Sequence, residues 1–245
     1  MRNADEFPEP QQLGSWKEEM DTIANHIKRK ACSNHALGVL EAGCGTEWEL
    51  DLRGVRYTLT GIDIDKNALD IRKNQKDLDI AILGDLRTAT LKESEYDVIY
   101  NSNVLEHIDG AEGVLENFVK WLKPGGVLIL RMPNRDSVWG FLTRTTPFWF
   151  HVFYKKYIQG NKNAGKPGHD PFPTFFDKVV SRRGIYEFCE KHGLVIIAEY
   201  SVRYRPKNRR PLWFIQSWLA WIVHLASLKR LSVKFANLIY VIEQP

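Results

Sequence analysis

The sequence is poor in cysteine and has no cluster of metal-ligating residues. Its three cysteines, Cys32, Cys44 and Cys189, are widely spaced among 245 residues, and no CxxC pair occurs. An odd, scattered set of this kind indicates neither a disulfide framework nor a zinc site. Since no grouping of histidines and carboxylates calls for another metal, we expect a metal-free protein that works in a reducing cytoplasm.

The chain also lacks a secretory signal at its start and an even distribution of charge. The first residues, MRNADEFPEPQQ, have neither the basic start nor the apolar stretch of such a signal, so we expect no export. Residues 201–245 hold eight lysines and arginines against one acidic residue, Glu243, whereas the remainder is slightly acidic. The local basic excess suits nucleic acid or an anionic membrane surface, and the remainder gives no reason to expect a polyanionic partner.

The overall composition is that of an ordinary globular protein. Hydrophobic residues make up 44% and charged residues 26% of the chain, and no internal repeat or low-complexity tract occurs. This excludes a disordered, collagen-like or coiled-coil protein. Because single α/β cores of this size are common, we expect residues 1–245 to form one domain with insertions.

Short apolar runs alternate with helical or loop segments along most of the chain. Each run is bounded by Gly, Asp or Asn, as expected of buried parallel strands. The runs are residues 37–42, 57–63, 80–83, 96–100 and 127–132, with later candidates at 194–200 and 235–242. Such alternation predicts a doubly wound parallel sheet, whose ligands bind outside the carboxyl ends of the strands.

Two helices stand out in the sequence pattern. An amphipathic helix is predicted over residues 16–30, within an N-terminal segment that covers residues 1–36. A second helix precedes the fifth run, where apolar residues recur at helical spacing over residues 114–122. Asp109 is its predicted N-cap, and the KPGG sequence at residues 123–126 is its predicted end.

Two insertions interrupt the alternation. Residues 133–180 contain eleven of the 29 aromatic residues of the chain, which predicts a substrate cap. These aromatic side chains either form a pocket for a flat or apolar acceptor or simply pack the cap onto the domain. Residues 203–234 separate the last two strand candidates and contain an apolar, tryptophan-rich helix.

A nucleotide site is indicated by the residues that follow the first three strands. VLEAGCGTE places Gly43 and Gly45 directly after a buried strand, where side chains would block the close approach of a ligand. Asp63 ends the second strand and can accept hydrogen bonds from both ribose hydroxyls. Trp48 stands where a dinucleotide site needs its third glycine, which disfavours NAD. Asp85 ends the third strand, and two acids without a phosphate-binding lysine suit an adenosine ligand without phosphates.

The alternative is purely structural. Gly43 and Gly45 would then form a tight turn, while Asp63 and Asp85 would cap the helices that follow them. Only about a dozen residues separate Gly45 from the next strand, so we also expect the first crossover to be short or irregular.

Five motifs in register resemble those of the class I S-adenosylmethionine-dependent methyltransferases. They are EAGCG, GIDID, GDL, YDVIYNSNVLEHI and LKPGGVLIL, and they cover residues 37–132, the expected cofactor-binding core. The resemblance implies a Rossmann-like, mostly parallel seven-stranded sheet with an antiparallel last strand. The aromatic cap and the hydrophobic helix before the last strand would be inserted into it. One departure from the family pattern is Glu47, which stands where the GxGxG motif has its last glycine.

The same resemblance implies the cofactor, S-adenosylmethionine, its product, S-adenosylhomocysteine, and the residues that hold the cofactor. Asp63 is expected to face the ribose and Asp85 the adenine. The residues expected at the methionine part are Glu41, Gly43, Gly45 and Asn101, and Ile64 and Leu86 follow the two acids in the same site.

Methyl transfer itself dictates few residues. The sulfonium is already a good leaving group, so an enzyme chiefly aligns the acceptor with the methyl group and removes a proton when needed. His107, in NVLEHI after the fourth strand, is the first base candidate, followed by His169 and His151 in the cap. Alternatively, Glu106 and His107 only satisfy the start of a loop or helix.

The residues do not identify the methyl acceptor. Arg131, Arg135 and Arg144 are candidates for binding an acceptor carboxylate or phosphate, although isolated arginines are more often solvated. A nucleic-acid base methyltransferase would favour NPPY after the fourth strand, where NSNV stands. We therefore expect transfer to an oxygen or nitrogen of a small-molecule or lipid-like acceptor and no nucleic-acid partner. The alternatives are a nucleic-acid methyltransferase, a noncatalytic module that binds an adenosine ligand, and another transferase such as a polyamine synthase.

The nearly uncharged run at residues 212–228, LWFIQSWLAWIVHLASL, has basic residues on both sides. At about 1.5 Å per residue it reaches the lower limit for crossing a bilayer. The strand candidates that flank it belong to one sheet and must lie on the same side of a membrane, which argues against a span. The segment over residues 209–230 therefore either packs on its own domain or makes a peripheral contact with the inner membrane surface.

Overall fold

The computed structural model describes residues 7–31, 35–158, 160–166, 171–202, 212–228, 230–233 and 235–245. The strands are β1 (Gln11–Leu13), β2 (Leu37–Ala42), β3 (Tyr57–Asp63), β4 (Ile80–Leu83), β5 (Tyr96–Ser102), β6 (Leu122–Pro133), β7 (Val195–Val202) and β8 (Asn237–Glu243). The helices are α1 (Trp16–Lys30), α2 (Lys66–Gln75), α3 (Ala111–Trp121), α4 (Val138–Thr145), α5 (Phe148–Phe153), α6 (Arg182–His192) and α7 (Leu212–Ala226). A 3-10 turn at Leu105–His107 follows β5, and a π-helical turn at Tyr154–Ile158 follows α5.

The described strands form one mixed sheet in the order β1-β7-β8-β6-β5-β2-β3-β4. β8 runs antiparallel to β6 and β7, and all other neighbours are parallel. This confirms the mostly parallel, Rossmann-like sheet. It has one strand more than the seven expected, because β1 pairs with β7 at the edge. β1 is only three residues long and begins with two exposed glutamines, so it carries no apolar strand pattern.

Apolar side chains cover both faces of the sheet. Val39 and Leu40, adjacent on β2, are both fully buried, but they belong to different apolar clusters. The cluster around Val39 includes Ile23 and Ile27 of α1, and the cluster around Leu40 includes Phe118 of α3. Because strands covered on both faces need apolar residues at every position, the runs are continuous rather than alternating. Each such side chain contributes about 1.5–3 kcal/mol by its burial.

The first crossover contains no helix. Residues 43–56, all of which are described, connect β2 to β3 by turns and extended chain. The expectation of a short or irregular connection is confirmed.

The start of α3 differs from the prediction. Gly110, in the left-handed conformation at a φ of 83°, occupies the N-cap position, and Asp109 is exposed. The carboxylate that caps the helix belongs to Asp177, whose Oδ2 accepts hydrogen bonds from the backbone N–H groups of Gly110 and Ala111 at 2.8 Å each. The prediction of Asp109 as the N-cap was wrong, because the turn before α3 places a more distant carboxylate at the free N–H groups.

The two insertions form helices that meet. α4, in the first insertion, packs against α7, in the second. A backbone hydrogen bond from Val138 N to Ser232 O, at 2.9 Å, ties the start of α4 to the chain that follows α7. No helix in the described part of the chain is long and apolar enough to cross a membrane.

Candidate functional site

The carboxyl ends of β2, β3 and β5 meet at one edge of the sheet. Ala42, the last residue of β2, is in register with Ile62 of β3 and with Asn101 of β5. The backbone N–H of Gly43 donates to Ile62 O at 2.8 Å, so the chain that follows β2 is still bonded to the end of β3. The residues predicted from the first, second and fourth apolar runs are therefore neighbours in space.

Two glycines shape the loop after β2 for different reasons. Gly43 has a φ of 76°, and a Cβ added there would lie 2.4 Å from a methyl group of Val104. Gly45 has a φ of 53°, and a Cβ there would meet no atom within 4 Å. Gly43 therefore lets the chain after β5 pack against the loop, whereas Gly45 faces open space that a ligand can enter. Trp48 packs its ring edge-to-face on Tyr100 at 6.1 Å between ring centroids.

Asp63 holds this loop from the end of β3. Its Oδ2 accepts a hydrogen bond from Gly45 N at 2.9 Å, and its Oδ1 accepts one from Asp65 N at 2.8 Å. Asp65, not Asp63, caps α2, because its side chain accepts from Asn67 N. Helix capping therefore does not account for Asp63. The adjacent Ile64 side chain is 73% exposed at the same edge.

Asp85 and Leu86 lie in the turn that follows β4, and their hydrogen-bond partners were not predicted from the sequence. The Asp85 carboxylate is bound by the Arg87 guanidinium at 2.6 Å, and this hydrogen bond lowers the pKa of Asp85. The Leu86 side chain is buried in the core, and Asn117 donates to its carbonyl oxygen at 3.0 Å. The side chain of Leu86 is therefore not available to a ligand at this edge.

Asn101, near the end of β5, has an unused acceptor. Its side chain is only 1% exposed, and its Nδ2 donates to Ala42 O at 2.8 Å. Its Oδ1 is buried and has no hydrogen-bond partner in the described structure. Because buried acceptors without a partner are costly, Oδ1 is suited to a donor supplied by a ligand.

Glu41 reaches the loop indirectly. Its Oε2 lies 2.8 Å from Arg72 Nη2, and Arg72, which is fully buried on α2, also donates to the Asp77 carboxylate at 2.7 Å. Burial raises the pKa of Glu41, and the hydrogen bond and the charge of Arg72 oppose this rise and favour the ionised pair. Arg72 was not among the predicted site residues, because nothing in the α2 sequence distinguishes it from the other basic residues of that helix.

His107 closes the 3-10 turn after β5. Its backbone N–H donates to Val104 O at 2.9 Å, which joins the turn to the residue that packs on Gly43. Its ring Nδ1 lies 2.7 Å from Pro173 O, an acceptor, so Nδ1 carries the proton and Nε2 of the neutral ring has a free lone pair. Burial lowers the pKa of His107, so the ring stays neutral below its ordinary pKa.

Glu106 is a further titratable group beside His107. Its side chain is 4% exposed, and burial raises its pKa to about 7. Its Oε1 lies 3.8 Å from His107 Nε2, and its Oε2 has no hydrogen-bond partner in the described structure. The motif NVLEHI placed Glu106 next to His107 in sequence, but only the fold places its carboxylate near the free ring nitrogen.

The remaining candidates are two histidines of the cap and three arginines. His169 lies outside the described residues. His151 Nε2 is 2.9 Å from Thr146 Oγ1, within the cap. Arg131, considered for the acceptor, is paired with Glu19 of α1 in a largely buried ion pair. Arg135 and Arg144 both have a buried Nε without a hydrogen-bond partner in the described structure. No group of three or more possible metal ligands occurs among the described residues.

Comparison with known proteins gives the family. Residues 12–199, well over half of the chain, match the family model described as a methyltransferase domain. The chain belongs to this family. Its sheet and motif order are those of the class I S-adenosylmethionine-dependent methyltransferases.

Individual relatives agree with this membership. The Ubiquinone biosynthesis O-methyltransferase of Bartonella tribocorum is 26% identical over 178 residues, which cover 70% of this chain and 66% of that protein. The mitochondrial Ubiquinone biosynthesis O-methyltransferase of Candida albicans is 31% identical over 207 residues, which cover 77% of this chain and 60% of that protein. The methyltransferase chain thus spans less than two thirds of the length of these relatives.

A solved structure shows the same fold. The putative S-adenosylmethionine-dependent methyltransferase of Listeria monocytogenes superposes with a TM-score of 0.57 at 13% identity, covering 93% of this chain and 99% of that chain. The residues present fit the cofactor of the family, because Gly45 faces open space in the loop after β2, and Asn101, in register with Ala42 at the end of β2, has an unused buried acceptor.

Proposed function

We propose that the chain transfers the methyl group of S-adenosylmethionine to an oxygen or nitrogen atom of a small-molecule or lipid-like acceptor. The observation that carries this proposal is the neutral state and fixed orientation of the His107 ring. The neutral ring, fixed through Nδ1 to Pro173, has an unprotonated Nε2, and the backbone N–H of His107 is bonded to Val104, the residue that packs on Gly43. A base in that position is useful for an acceptor that must lose a proton.

The cofactor-binding residues are proposed on the same grounds. Asn101 Oδ1 would accept a hydrogen bond from the methionine part, and Asp63 would accept the ribose hydroxyls with the lone pairs left by its backbone partners. Ile64 would cover one side of the adenine. Asp85 and the main chain of Leu86 would meet the adenine edge. When bound, S-adenosylmethionine supplies a methyl group on a sulfonium that leaves as a neutral thioether.

The protein has two tasks once acceptor and cofactor are in place. The cap and the turn after β5 hold the acceptor in line with the methyl group, an effect that can contribute about 7–11 kcal/mol. His107 Nε2 takes the proton that the acceptor O–H or N–H group loses. The Glu106 carboxylate, 3.8 Å from Nε2, stabilises the positive charge that the ring then carries.

The acceptor class is supported by the side chains around His107. Phe172 contacts the His107 ring edge-to-face and is 49% exposed, and Phe175 is 55% exposed. The backbone N–H of Phe175 donates to Glu106 O at 2.8 Å, which joins the cap to the turn that contains the base. Exposed aromatic rings beside a base suit an apolar or aromatic acceptor. Two relatives named for ubiquinone biosynthesis agree with that chemistry.

The test is transfer of a labelled methyl group to a panel of alkyl-substituted catechols and to matched amines. We expect turnover with at least one member of the panel and a loss of about 10²–10⁴-fold in His107→Ala, with unchanged cofactor affinity. His151→Ala, a histidine-to-alanine change on α5 in the cap, is the control and should retain turnover. Because the pKa of His107 is lowered, the rate should fall only below pH 6.5. Full turnover in His107→Ala would contradict its role as the base.

Other outcomes identify the alternatives. Transfer to RNA or DNA but not to the small-molecule panel would favour a nucleic-acid methyltransferase. Cofactor binding without transfer to any acceptor would favour a noncatalytic module. We also propose a cytoplasmic protein in peripheral contact with the inner membrane surface through residues 209–230, which the exposed tryptophans of α7 support.

A further inference from the structure

A groove lies between α4 and α7, and none of its lining residues belongs to the loop that follows β2. Its volume is about 510 Å³. It is lined by apolar side chains and two arginines: Phe141, Arg144, Ile222, Val223, Ala226, Ser227, Arg230 and Leu231. The lining is therefore mostly apolar and carries two positive charges.

Arg144, which lines the groove, and the nearby Arg135 do not make all the hydrogen bonds that their guanidinium groups could make. The Nε atoms of Arg135 and Arg144 are buried and have no hydrogen-bond partner in the described structure. Burial and the nearby charge of Arg135 lower the pKa of Arg144, and Asp136 only partly opposes them. Buried donors on like-charged groups are unfavourable unless an acceptor pairs with them. An anion that reaches both guanidinium groups would provide that acceptor.

The surface around the groove is apolar to an extent unusual for a helix exposed to water. Trp218 of α7 is 66% exposed and Trp221 is 55% exposed. The sequence has no acidic residue between positions 201 and 242, although eight basic residues occur there. Tryptophan with basic flanks is the composition of helices that lie in a membrane interface.

We propose that the groove between α4 and α7 binds an anionic phospholipid of a membrane surface. The phosphate lies against Arg144 and Arg135, an acyl chain follows the apolar lining, and the exposed tryptophans of α7 enter the interface. The inference rests on the proposed membrane contact and adds the site and the headgroup charge to it. A soluble anion would satisfy the arginines but would leave the apolar lining and the tryptophans uncovered.

The geometry suits a helix that lies in the plane of the membrane. α7 has 15 residues, or about 22 Å at 1.5 Å per residue, which is shorter than the hydrocarbon core of a bilayer. Its end is held by the fold, because His224 Nδ1 donates to Leu231 O at 2.6 Å and Val138 N donates to Ser232 O. The helix can therefore present its tryptophans without leaving α4.

The experiment is sedimentation of the full chain with phosphatidylcholine vesicles and with mixed phosphatidylcholine–phosphatidylglycerol vesicles. We expect binding to the mixed vesicles at low salt, little binding to phosphatidylcholine alone, and release at high salt. Arg144→Gln should weaken binding about fivefold, as expected for one basic charge near an anionic surface. Arg183→Gln also removes one positive charge, from an exposed side chain of α6 outside the groove, and should leave vesicle binding unchanged.

A second pair of measurements makes the outcome decisive. Trp218→Ser and Trp221→Ser, both at exposed positions, should also lose vesicle binding, so the test does not depend on the fold of the Arg144 variant. Inorganic phosphate at matched ionic strength should not displace the protein, and displacement would identify a soluble-anion site instead. Equal binding to both vesicle types, or full binding by Arg144→Gln, would overturn the proposal. Calorimetry with S-adenosylmethionine on the same samples reports the proposed function separately.

Discussion

Arg72 Nη2 lies 2.8 Å from Glu41 Oε2, and this ion pair joins α2 to β2 just before the loop that contains Gly43 and Gly45. Arg72 Nη1 also donates to Cys44 O at 2.5 Å and to Glu47 O at 3.3 Å. The loop after β2 has no helix after it to satisfy these carbonyl groups. One buried guanidinium therefore replaces the hydrogen bonds that a first-crossover helix would have made.

Arg72→Lys should destabilise the protein and loosen the loop. A lysine ammonium cannot hold Glu41, Asp77 and two carbonyl groups together, and breaking a buried ion pair costs about 3–5 kcal/mol. Denaturant unfolding measures the loss, and calorimetry should show weaker cofactor binding in the folded fraction. Arg53→Lys is the matched control, since Arg53 is exposed and pairs only locally with Asp51. Equal stability of the two variants would contradict this role.

Asp63→Ala should weaken binding of both S-adenosylmethionine and S-adenosylhomocysteine. The change removes the proposed ribose acceptor and the carboxylate that holds Gly45 N. Hydrogen bonds to a charged group contribute about 1.5–3 kcal/mol, so we expect a loss of about tenfold or more in affinity by calorimetry. Asp51→Ala removes an exposed carboxylate from the loop between β2 and β3 and should bind as the unchanged protein does. Unaltered affinity in a folded Asp63→Ala variant would contradict the site.

The sheet could be predicted from sequence because its strands are buried on both faces. β2, β3 and β4 begin and end at the residues where their apolar runs do, since each run is bounded by Gly or a polar residue. β1 could not be predicted in this way. It has one buried residue, Leu13, and exists because β7 presents a free edge to it.

The long-range polar contacts of the site could not be predicted from the sequence. The sequence placed Asp63 and Gly45 at strand ends, where the fold brings them together. The partners of Glu41 and of the N-terminus of α3 lie 31 and about 66 residues away in the chain, and no local pattern marks them. Such pairs follow from the packing of α2 and of the cap, which periodicity does not describe.

Glu106 should make stability depend on pH. Burial raises its pKa from 4.5 to about 7, so the folded chain binds a proton that the unfolded chain releases at lower pH. The stabilisation is present in full below pH 4.5 and is lost as the pH rises to about 7, a change of about 3 kcal/mol. Glu106→Gln stays neutral and should not show this loss. The measurement is the free energy of unfolding across that pH range for both proteins.

A more exposed carboxylate, that of Glu116, serves as the control for the buried Glu106. Glu116→Gln, on the solvent side of α3, should follow the same pH profile as the unchanged protein. If the free energy of unfolding of Glu106→Gln depends on pH in the same way as that of the unchanged protein, burial does not raise the pKa of Glu106 in the folded chain.

Asp177 and Asp109 offer a direct comparison of the observed and the predicted cap of α3. Asp177→Ala removes the carboxylate that accepts from Gly110 N and Ala111 N, so these N–H groups lose their partner at the start of the helix. Loss of a capping side chain costs about 0.5–2 kcal/mol, and we expect the upper part of that range because one carboxylate serves two donors. Asp109→Ala changes an exposed side chain and should stay within about 0.5 kcal/mol of the unchanged protein. Urea unfolding of the two variants under identical conditions measures the difference. A larger loss in Asp109→Ala than in Asp177→Ala would restore the cap that the sequence predicted and would detach Asp177, and with it the end of the cap insertion, from α3.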